Sequence, residues 1–537
     1  MEVLWIFLIL LAVAALAGLV ASWVSGQKRL RQRVLGQFGK LPPEDSSLEG
    51  IPKYASLLGD LPVDGATWED LDMDRVFRRV NSCQSAVGEQ VLYAQLHRLE
   101  QLPHWEELLA HLENCPDQRE HAWLTLARVG KRRSCYSLAE FLFAPEEVSL
   151  LLGPLYPLFA LLPLAGLVGM LWNYWVGGCV LIGSLCWNVV LYYLGKRRVQ
   201  GDLERLQALS SLLWACRRLT KVLSFAPLRE DLEEALVKFR PLEGRMTGLT
   251  PRGSADWELL QEYYHIFTLR DLRLYRRAVK LVKEYPNQAK SLYQAAGMVD
   301  AAIAVLSFRR TLPQWCRPTY HQENVLEFAG LFHPLLQDPV ENSGRLEKDV
   351  LLTGSNASGK STFLKALAVN AILGQSIDTC AGERYVFRPG RVLSSMAVRD
   401  DITAGESYFM AEVRSLKRLT DAARTGGCLL FIDEILKGTN TVERLAASQA
   451  VLEELHRRDC LCVAATHDLE LTSRLAESYH SFHFQERLTG EGVEFDYLLR
   501  PGPANTQNAI RLLQVLGFSA STVERAQELA KRGEIPT

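Results

Sequence analysis

Uncharged apolar segments interrupt the polar pattern of this chain, and the first lies at its start. Residues 3–27 contain no charged side chain, and their apolar core is about as long as the ~20 residues with which a helix crosses a bilayer. A cleaved signal peptide is the alternative, but the start lacks the basic segment of a signal sequence. Lys28, Arg29, Arg31 and Arg33 follow directly. The positive-inside rule therefore predicts an N-terminus outside the cell and the following chain in the cytoplasm.

A longer uncharged stretch covers residues 148–195. It lies between Glu146-Glu147 and Lys196–Arg198, and the letters NYWVGG at 173–178 supply turn residues near its middle. This length predicts two membrane spans that form a hairpin with both ends in the cytoplasm. The alternative is a buried apolar core, although so long a run without an ionisable side chain is rare in soluble domains.

Between these segments the pattern is helical, and it changes to alternating strands and helices near residue 348. Apolar residues recur at helical spacing in 203–223, 256–285 and 292–308. Five regions follow from this pattern. They are a transmembrane helix at 1–27, a cytoplasmic helical region at 28–147, a transmembrane hairpin at 148–195, a second helical region at 196–325 and an α/β domain at 326–537.

Charge and cysteine content narrow the functional classes. The chain has 60 Lys and Arg against 62 Asp and Glu, so its net charge provides no long-range attraction for nucleic acid. Its 11 cysteines lack metal-ligand spacing, which is typical of a reducing compartment without a zinc site. Cys460 and Cys462 lie in an apolar run that predicts a buried strand.

The segment VLLTGSNASGKST at 350–362 joins an apolar strand to a helical pattern through a glycine-rich turn. Its spacing is that of a full Walker A motif, in which backbone N–H groups and the positive end of a helix surround phosphates. We expect this loop to bind ATP, with Lys360 neutralising the outer phosphates and Ser361 binding Mg²⁺. The expected nucleotide-binding residues are Gly354, Ser355, Asn356, Ala357, Ser358, Gly359, Lys360, Ser361 and Thr362.

A second apolar strand, CLLFIDE at 428–434, ends in two carboxylates, which is the Walker B arrangement. We expect Asp433 to hold Mg²⁺ and Glu434 to orient the attacking water. His467 follows another apolar strand, and we expect it to contact the γ-phosphate or the water; a simple turn residue is the alternative. The expected catalytic residues are thus Glu434, His467 and Lys360.

The two Walker motifs belong to a series of four segments. In chain order these are TGSNASGKST at 353–362, DDITAGESYFMAEV at 400–413, FIDEILKGTNT at 431–441 and ATHDLEL at 465–471. The series resembles the ATPase domain of the MutS mismatch-repair family in content, order and spacing, and residues 500–530 resemble that family's C-terminal segment. The resemblance implies an α/β P-loop NTPase of the ABC/MutS type that uses ATP and Mg²⁺. The signature segment is AGESYF here, whereas ABC transporters have LSGGQ at the corresponding position. This difference argues that the domain is not a transporter ATPase.

The resemblance also implies roles for two further residues. Asn356 matches the asparagine of the family's phosphate loop. Ser407 matches the serine that reaches the ATP of the partner subunit, so the resemblance implies a homodimer with shared ATP sites.

Upstream, the likeness to the MutS helical core is weaker, over 70–96 and 292–320. A hydrophobic hairpin interrupts this all-α core, and no Phe-x-Glu mismatch-reading domain or connector domain is recognisable. We therefore expect a membrane-anchored, multi-pass variant in the cytoplasmic membrane that lacks the mismatch-recognition domain and has its ATPase domain in the cytoplasm.

A basic stripe is the remaining candidate for nucleic-acid binding. Arg270, Arg273, Arg277 and Lys280 recur at intervals of three and four along a predicted helix. The stripe is suited to DNA phosphates, to anionic lipid headgroups or to solvent. Two functions remain open: a dimeric ATP-driven clamp that binds DNA near the membrane, and ATP-driven remodelling of an unknown membrane partner without nucleic acid.

Overall fold

The computed structural model describes residues 2–145, 148–242, 255–355, 358–396, 408–436, 439–489, 492–504 and 518–533. The chain divides into two compact units. The first contains residues 1–59, 80–94 and 102–311, and the second contains residues 60–79, 95–101 and 312–537.

The helices precede most of the strands along the chain. They are α1 (Glu2–Leu35), α2 (Pro52–Ser56), α3 (Gly65–Asp70), α4 (Met73–Val80), α5 (Ala86–Arg98), α6 (Trp105–Asn114), α7 (Pro116–Val129), α8 (Arg133–Tyr136), α9 (Leu138–Phe143), α10 (Tyr156–Gly169), α11 (Tyr174–Val222), α12 (Ala226–Phe239), α13 (Ala255–Thr268), α14 (Arg270–Glu284), α15 (Pro286–Arg309), α16 (Lys360–Ile377), α17 (Tyr408–Ala423), α18 (Thr441–His456), α19 (Leu469–Arg474) and α20 (Ala520–Gly533).

Helix α15 is the central helix of the first unit. It packs against α6, α7, α9, α11 and α12, and its small side chains allow close approach, since a Cβ at Gly297 would come 2.3 Å from Val91 Cγ2. Helices α11 and α15 are both long and apolar enough to cross a membrane. Because 83% of the apolar window of α15 is buried within the protein, that helix is part of the core.

Helices α10 and α11 form a hairpin that exposes much of its apolar surface. The two helices meet at glycines, where a Cβ on Gly166 would lie 2.6 Å from the Leu181 nitrogen. The Asn173 side chain caps α11 by accepting hydrogen bonds from the N–H groups of Trp175 and Val176. The exposed apolar side chains include Leu158, Leu161, Leu164, Leu167, Leu171, Trp172, Trp175, Ile182 and Trp187.

The sequence predicted two full spans in this region, but the two arms differ in length. Helix α10 has only 14 residues, which corresponds to about 21 Å, whereas α11 continues for 49 residues with a kink at Val199. Pro157 lies in the first turn of α10 and a 3₁₀ turn at Gly153–Leu155 precedes it. The first arm is therefore shorter than the ~20 residues that the prediction assumed.

The described residues of the second unit form three sheets. A six-stranded sheet has the order β12-β9-β4-β8-β7-β6, parallel except for β12, and a four-stranded sheet has the order β1-β5-β2-β3. Strands β10 and β11 form a separate hairpin. The strands are β1 (Pro318–Tyr320), β2 (Leu326–Leu331), β3 (Asn342–Leu346), β4 (Asp349–Thr353), β5 (Arg384–Phe387), β6 (Arg391–Ser395), β7 (Cys428–Asp433), β8 (Cys460–Ala465), β9 (Tyr479–His483), β10 (Glu486–Thr489), β11 (Gly492–Phe495) and β12 (Arg500–Pro501).

Two features of the second unit differ from the expected pattern. Strands begin at Pro318, before residue 326 where the predicted α/β domain starts, because β1 has only three residues, is partly exposed and lacks an apolar run. Residues 60–79 also belong to this unit: Asp70 accepts hydrogen bonds from Ser394 Oγ at 2.8 Å and from the Met396 N–H at 3.0 Å. No periodicity in the sequence indicates that residues 60–79 contact a strand more than 300 residues later in the chain.

Candidate functional site

The glycine-rich loop leads from the central strand β4 to helix α16. All of β4 is buried, and the backbone turns at Gly354 and Gly359, whose φ angles are +139° and +99°. A Cβ would lie 2.7 Å from the Phe484 carbonyl oxygen at Gly354 and 2.9 Å from Tyr497 Cδ1 at Gly359. Only glycine satisfies both the backbone angle and the space at these two positions.

Lys360 is held within this loop. Its side chain is buried, and its Nζ donates hydrogen bonds to the carbonyl oxygens of Gly354 at 2.6 Å and Ser355 at 2.7 Å. Ser358 is buried beside it, with its Oγ donating to the Ser355 carbonyl at 2.7 Å. The ammonium group is therefore fixed at the start of α16, where the helix end adds positive potential.

The other loop residues named from the sequence lie around this point. Ser361 is half-buried in the first turn of α16, and Thr362 is exposed. Asn356 and Ala357 lie outside the described residues.

The carboxylates lie at the end of β7, two strands from β4. In the strand register Asp433 pairs with Ala465 of β8, and Ala465 pairs in turn with Leu352 of β4. The Glu434 N–H donates to the Ala465 carbonyl at 3.0 Å. Because all three strands are parallel, the carboxylates and the loop emerge at the same edge of the sheet.

The state of Asp433 is compatible with a bound cation. Its Oδ1 is buried and accepts no hydrogen bond within the described parts of the chain. A buried carboxylate oxygen without a donor is suited to a hard cation such as Mg²⁺, and a serine hydroxyl is also an oxygen ligand of that type. The chemistry of Asp433 and Ser361 thus fits Mg²⁺, the ion that the sequence predicted they bind.

Glu434 adopts a backbone conformation that is uncommon for its residue type. Its φ is +58°, in the left-handed region, and Leu436 two residues later has φ +56°. Such conformations cost on the order of 1–3 kcal/mol and cluster at functional sites. The turn directs the chain away from β7 immediately after the second carboxylate.

His467 follows β8 at the same edge, and its neighbours are held firmly. Its side chain is half-exposed, and Nε2 lies 3.8 Å from Asp468 Oδ1. Asp468 in turn binds Arg444 of α18 through two hydrogen bonds, of 2.9 and 2.8 Å. This charge-assisted pair, which raises the pKa of Arg444, had no signal in the sequence because its members are separated by a helix and a strand.

A cavity of about 370 Å³ opens beside the loop, and no sequence motif indicated it. It is lined by Leu331, Phe332, His333, Leu336, Asp338, Val340, Asn342, Gly359, Thr362, Phe363, Ala366, Phe484 and Tyr497. Asn342 positions the Tyr497 segment by donating to the Tyr497 carbonyl at 3.0 Å and accepting from the Leu499 N–H at 2.7 Å. The walls are largely apolar, with a few polar groups, as is common for ligand sites.

The loop that carries Ser407 lies outside the described residues, as does all of 397–407. Helix α17 begins at Tyr408, directly after Ser407. The position of Ser407 relative to a second subunit therefore stays a prediction.

The part of the chain that carries this site is similar to known proteins. Residues 350–534 match the family model described as MutS domain V. The chain is 35% identical over 264 residues to the DNA mismatch repair protein MutS of Natronomonas pharaonis, covering 46% of this chain and 30% of that protein. It is 30% identical over 268 residues to the MutS of Geobacillus thermodenitrificans, covering 47% and 29%. The chain thus spans about a third of the length of the curated relatives that it matches.

Proposed function

We infer that this chain, whose residues 350–534 match MutS domain V, binds and hydrolyses ATP with Mg²⁺ at the edge of its six-stranded sheet. One observation carries the proposal. The glycine loop with its buried Lys360 follows β4, and the carboxylates Asp433 and Glu434 stand at the end of β7; β8 lies between these parallel strands and pairs with both in fixed register.

The residues at this edge have distinct roles in the proposed reaction. Loop N–H groups and Lys360 hold the phosphates, and Ser361 and Asp433 hold Mg²⁺, which neutralises charge on the phosphate oxygens when bound. Glu434 orients the attacking water and accepts its proton. His467, at the same edge, contacts the γ-phosphate or that water.

The cavity beside Gly359 suits the nucleobase. It lies next to the loop, is walled by Phe363 and Phe484, and is large enough for a purine ring system. His333, which lines it, offers a neutral imidazole for a hydrogen bond, because its Nδ1 accepts from the Leu335 N–H at 3.3 Å and leaves Nε2 as the donor.

Substitution of Glu434 tests the assignment. Glu434→Gln keeps the size of the side chain but removes the proton acceptor, so we expect ATP binding to stay near the parental level and turnover to fall by at least ~100-fold. Lys360→Ala should weaken ATP binding itself. Glu470→Gln, at an exposed carboxylate of α19 that pairs with Arg474, is the matched control and should hydrolyse ATP normally. Parental turnover by Glu434→Gln would show that another residue activates the water.

We further propose that α1 and the hairpin of α10 and α11 hold the protein in the cytoplasmic membrane, with both ends of the hairpin in the cytoplasm. The exposure of Leu171 and Trp172, at 85% and 88%, supports this, since soluble proteins rarely expose so large an apolar patch. Basic residues at 28–33 and 196–198 favour this orientation.

We propose a homodimer with shared ATP sites, whose ATPase cycle is coupled to DNA. The relatives named DNA mismatch repair proteins support the coupling, although the chain spans only about a third of their length. The hairpin favours a second candidate, the ATP-driven remodelling of a membrane partner. ATPase assays of the detergent-purified chain with and without duplex DNA discriminate between them: stimulation is expected for the first function and no response for the second.

A further inference from the structure

A groove in the first unit lies between an apolar helix and a basic one. It has a volume of about 980 Å³. Its walls come from α10, from the end of α13 and from α14. Twelve residues line it, among them Leu161 and Leu164 of α10, Tyr264 of α13, and Arg273, Arg277 and Lys280 of α14.

One wall of the groove concentrates positive charge. Five of the twelve lining residues are Arg or Lys, and no lining residue is acidic. Arg273, Arg277 and Lys280 are exposed, and within the described residues they and Arg276 form no ion pair with a carboxylate. Asp271 is turned inward, where it lies 3.2 Å from His265 Nδ1 and accepts a hydrogen bond from the Tyr192 hydroxyl at 3.3 Å. Arg273, Arg276, Arg277 and Lys280 therefore line the groove as a cluster without a carboxylate counter-charge among the described residues.

The opposite wall is apolar and faces outward. Leu161 and Leu164 of α10 are 60% and 59% exposed, and they belong to the hairpin surface that we assign to the membrane. Tyr263 and Tyr264, at the end of α13, are also more than half exposed, as is common for aromatic side chains at a membrane interface. A ligand that fills this groove must therefore be anionic on one side and apolar on the other.

The groove is preformed, because α14 is fixed against the hairpin. Arg276 donates a hydrogen bond to the Gly153 carbonyl, and Leu272 packs so closely on Gly195 that a Cβ there would lie 2.5 Å from Leu272 Cδ1. Asn188 of α11 donates to the Phe267 carbonyl at 2.8 Å. These contacts hold the basic face of α14 beside α10.

We propose that this groove binds an anionic phospholipid of the membrane, with the phosphate among Arg273, Arg277 and Lys280 and an acyl chain along Leu161 and Leu164. This inference rests on the proposed membrane anchoring. Duplex DNA matches only the basic wall, since the backbone of DNA has no apolar part to cover exposed leucines.

Lipid-dependent stability of the full-length chain tests the proposal. The chain purified in a nonionic detergent is heated with increasing dioleoylphosphatidylglycerol or, separately, dioleoylphosphatidylcholine, and the midpoint of unfolding is recorded. Phosphatidylglycerol should raise the midpoint in a saturable way and phosphatidylcholine should not. Combining Arg273→Gln, Arg277→Gln and Lys280→Gln should raise the half-saturating concentration of phosphatidylglycerol on the order of tenfold or more.

Matched variants separate charge at the groove from total charge and from damage to the fold. Arg218→Gln, Lys221→Gln and Arg240→Gln remove three exposed cations outside the groove lining and should leave the phosphatidylglycerol response unchanged. Arg273→Lys with Arg277→Lys keeps the charge and should retain the response. Loss of the response in the Gln triple but not in the Lys double excludes a general folding defect.

Other outcomes overturn the proposal. An equal response to both lipids shows that headgroup charge is not recognised. Glycerol phosphate that competes as well as phosphatidylglycerol shows that the acyl chain contributes nothing. Duplex DNA that binds the parental chain, but not the Gln triple, and is not displaced by phosphatidylglycerol would assign the face to nucleic acid.

Alkaline carbonate extraction of membranes that contain the parental chain separates this inference from the anchoring on which it rests. Release of the chain into the supernatant contradicts the anchoring itself. Retention in the membrane together with no preference for phosphatidylglycerol contradicts only the lipid site.

Discussion

His333 lines the cavity beside Gly359 and is nearly fully buried. Burial, reinforced by the positive charge of Lys365, lowers the pKa of His333 to about 4 from an ordinary value of 6.5. The folded protein therefore keeps this imidazole neutral at a pH at which the unfolded chain protonates it. The contribution to stability is complete above pH 6.5 and is lost as the pH falls from 6.5 towards 4.

We expect His333→Asn to remove this pH dependence. Asparagine has a similar polar reach and accepts a hydrogen bond, but it does not titrate between pH 4 and 7. Between pH 7.5 and 5.0 the parental chain should lose about 2 kcal/mol more of unfolding free energy than the variant. Unfolding midpoints at both pH values measure the difference.

The comparison of the two proteins removes other titrating groups. Burial raises the pKa of Asp300 to about 6, which gives a pH dependence of opposite sign, but Asp300 is common to both proteins and cancels in the difference. Parallel midpoint curves for the two proteins would contradict a lowered pKa at His333.

At the scale of elements, the loop after β8 is fixed to α18 by the pair of Arg444 and Asp468. Both side chains are mostly buried, so the pair is shielded from water. His467 is the adjacent residue, and the pair thereby holds the backbone that presents the imidazole. Arg444 is in this sense a positioning residue.

Substitution of Arg444 by Met should therefore impair turnover more than ATP binding. Methionine keeps the aliphatic length but cannot donate the two hydrogen bonds, so we expect kcat to fall on the order of tenfold with KM within about twofold. Arg474→Met is the control, because Arg474 and Glu470 form an exposed pair on α19 in which little energy is stored. Equal effects of the two substitutions would contradict a positioning role.

The elements that the sequence predicted are those with a strong apolar pattern. Strands β4, β7 and β8 are continuous buried runs, and the structure has them where VLLT, CLLFID and CLCVAA stand. The 256–285 run was predicted as continuous helix, but it breaks at Leu269, which has φ +50° and separates α13 from α14. Leucine is a good helix former, so local propensity gives no sign of this turn.

Long-range contacts account for the remaining differences. The cavity beside Gly359 draws its walls from β2, β3, α16 and the Tyr497 segment, and no local pattern relates segments so far apart. The basic stripe on α14 was visible from its spacing, whereas the apolar wall of α10 opposite it was not. The periodicity of charged residues identifies the basic face of a helix, but only the tertiary structure shows which other helix lies opposite that face.

At the scale of the whole molecule, the proposed membrane topology determines which side of the membrane each segment faces. Cys135 and Cys428 are buried, so their protection from a thiol reagent gives no information on topology, and Cys115 is only partly accessible. Introduced cysteines at exposed positions are more decisive. Leu41 is 62% exposed, on the side predicted to be cytoplasmic, and Trp172 is 88% exposed at the hairpin turn.

We expect a membrane-impermeant maleimide to label Trp172→Cys in intact cells but to label Leu41→Cys only after permeabilisation. Cys179 and Cys186 are exposed and Cys115 and Cys316 are partly accessible, so all four are replaced by Ala in both variants to remove background. Failure to label Trp172→Cys in intact cells, when the denatured protein does react, would show that the short α10 arm does not bring the turn across the membrane. Labelling of Leu41→Cys in intact cells would reverse the orientation.

At the largest scale, the proposed homodimer would complete each ATP site with residues of two subunits. The resemblance implies that Ser407 serves the opposite subunit, and in the proposal Lys360 and Glu434 act within one subunit. Helix α17 begins directly after Ser407, and the N-terminus of a helix favours an anionic oxygen. The alternative is that Ser407 only caps its own helix.

Mixing two inactive variants distinguishes these roles. In a heterodimer of Lys360→Ala and Ser407→Arg chains, one shared site collects both lesions and the other collects none, so an equal mixture should recover about a quarter of the parental ATPase activity. A mixture of Lys360→Ala and Glu434→Gln is the control and should stay inactive, because each of its sites carries one lesion. Pull-down between differently tagged chains verifies that subunits exchange. Exchange without recovery in the first mixture would mean either that Ser407 acts in the site of its own subunit or that the two sites must fire together. Recovery in both mixtures would show that the single lesions do not abolish a site.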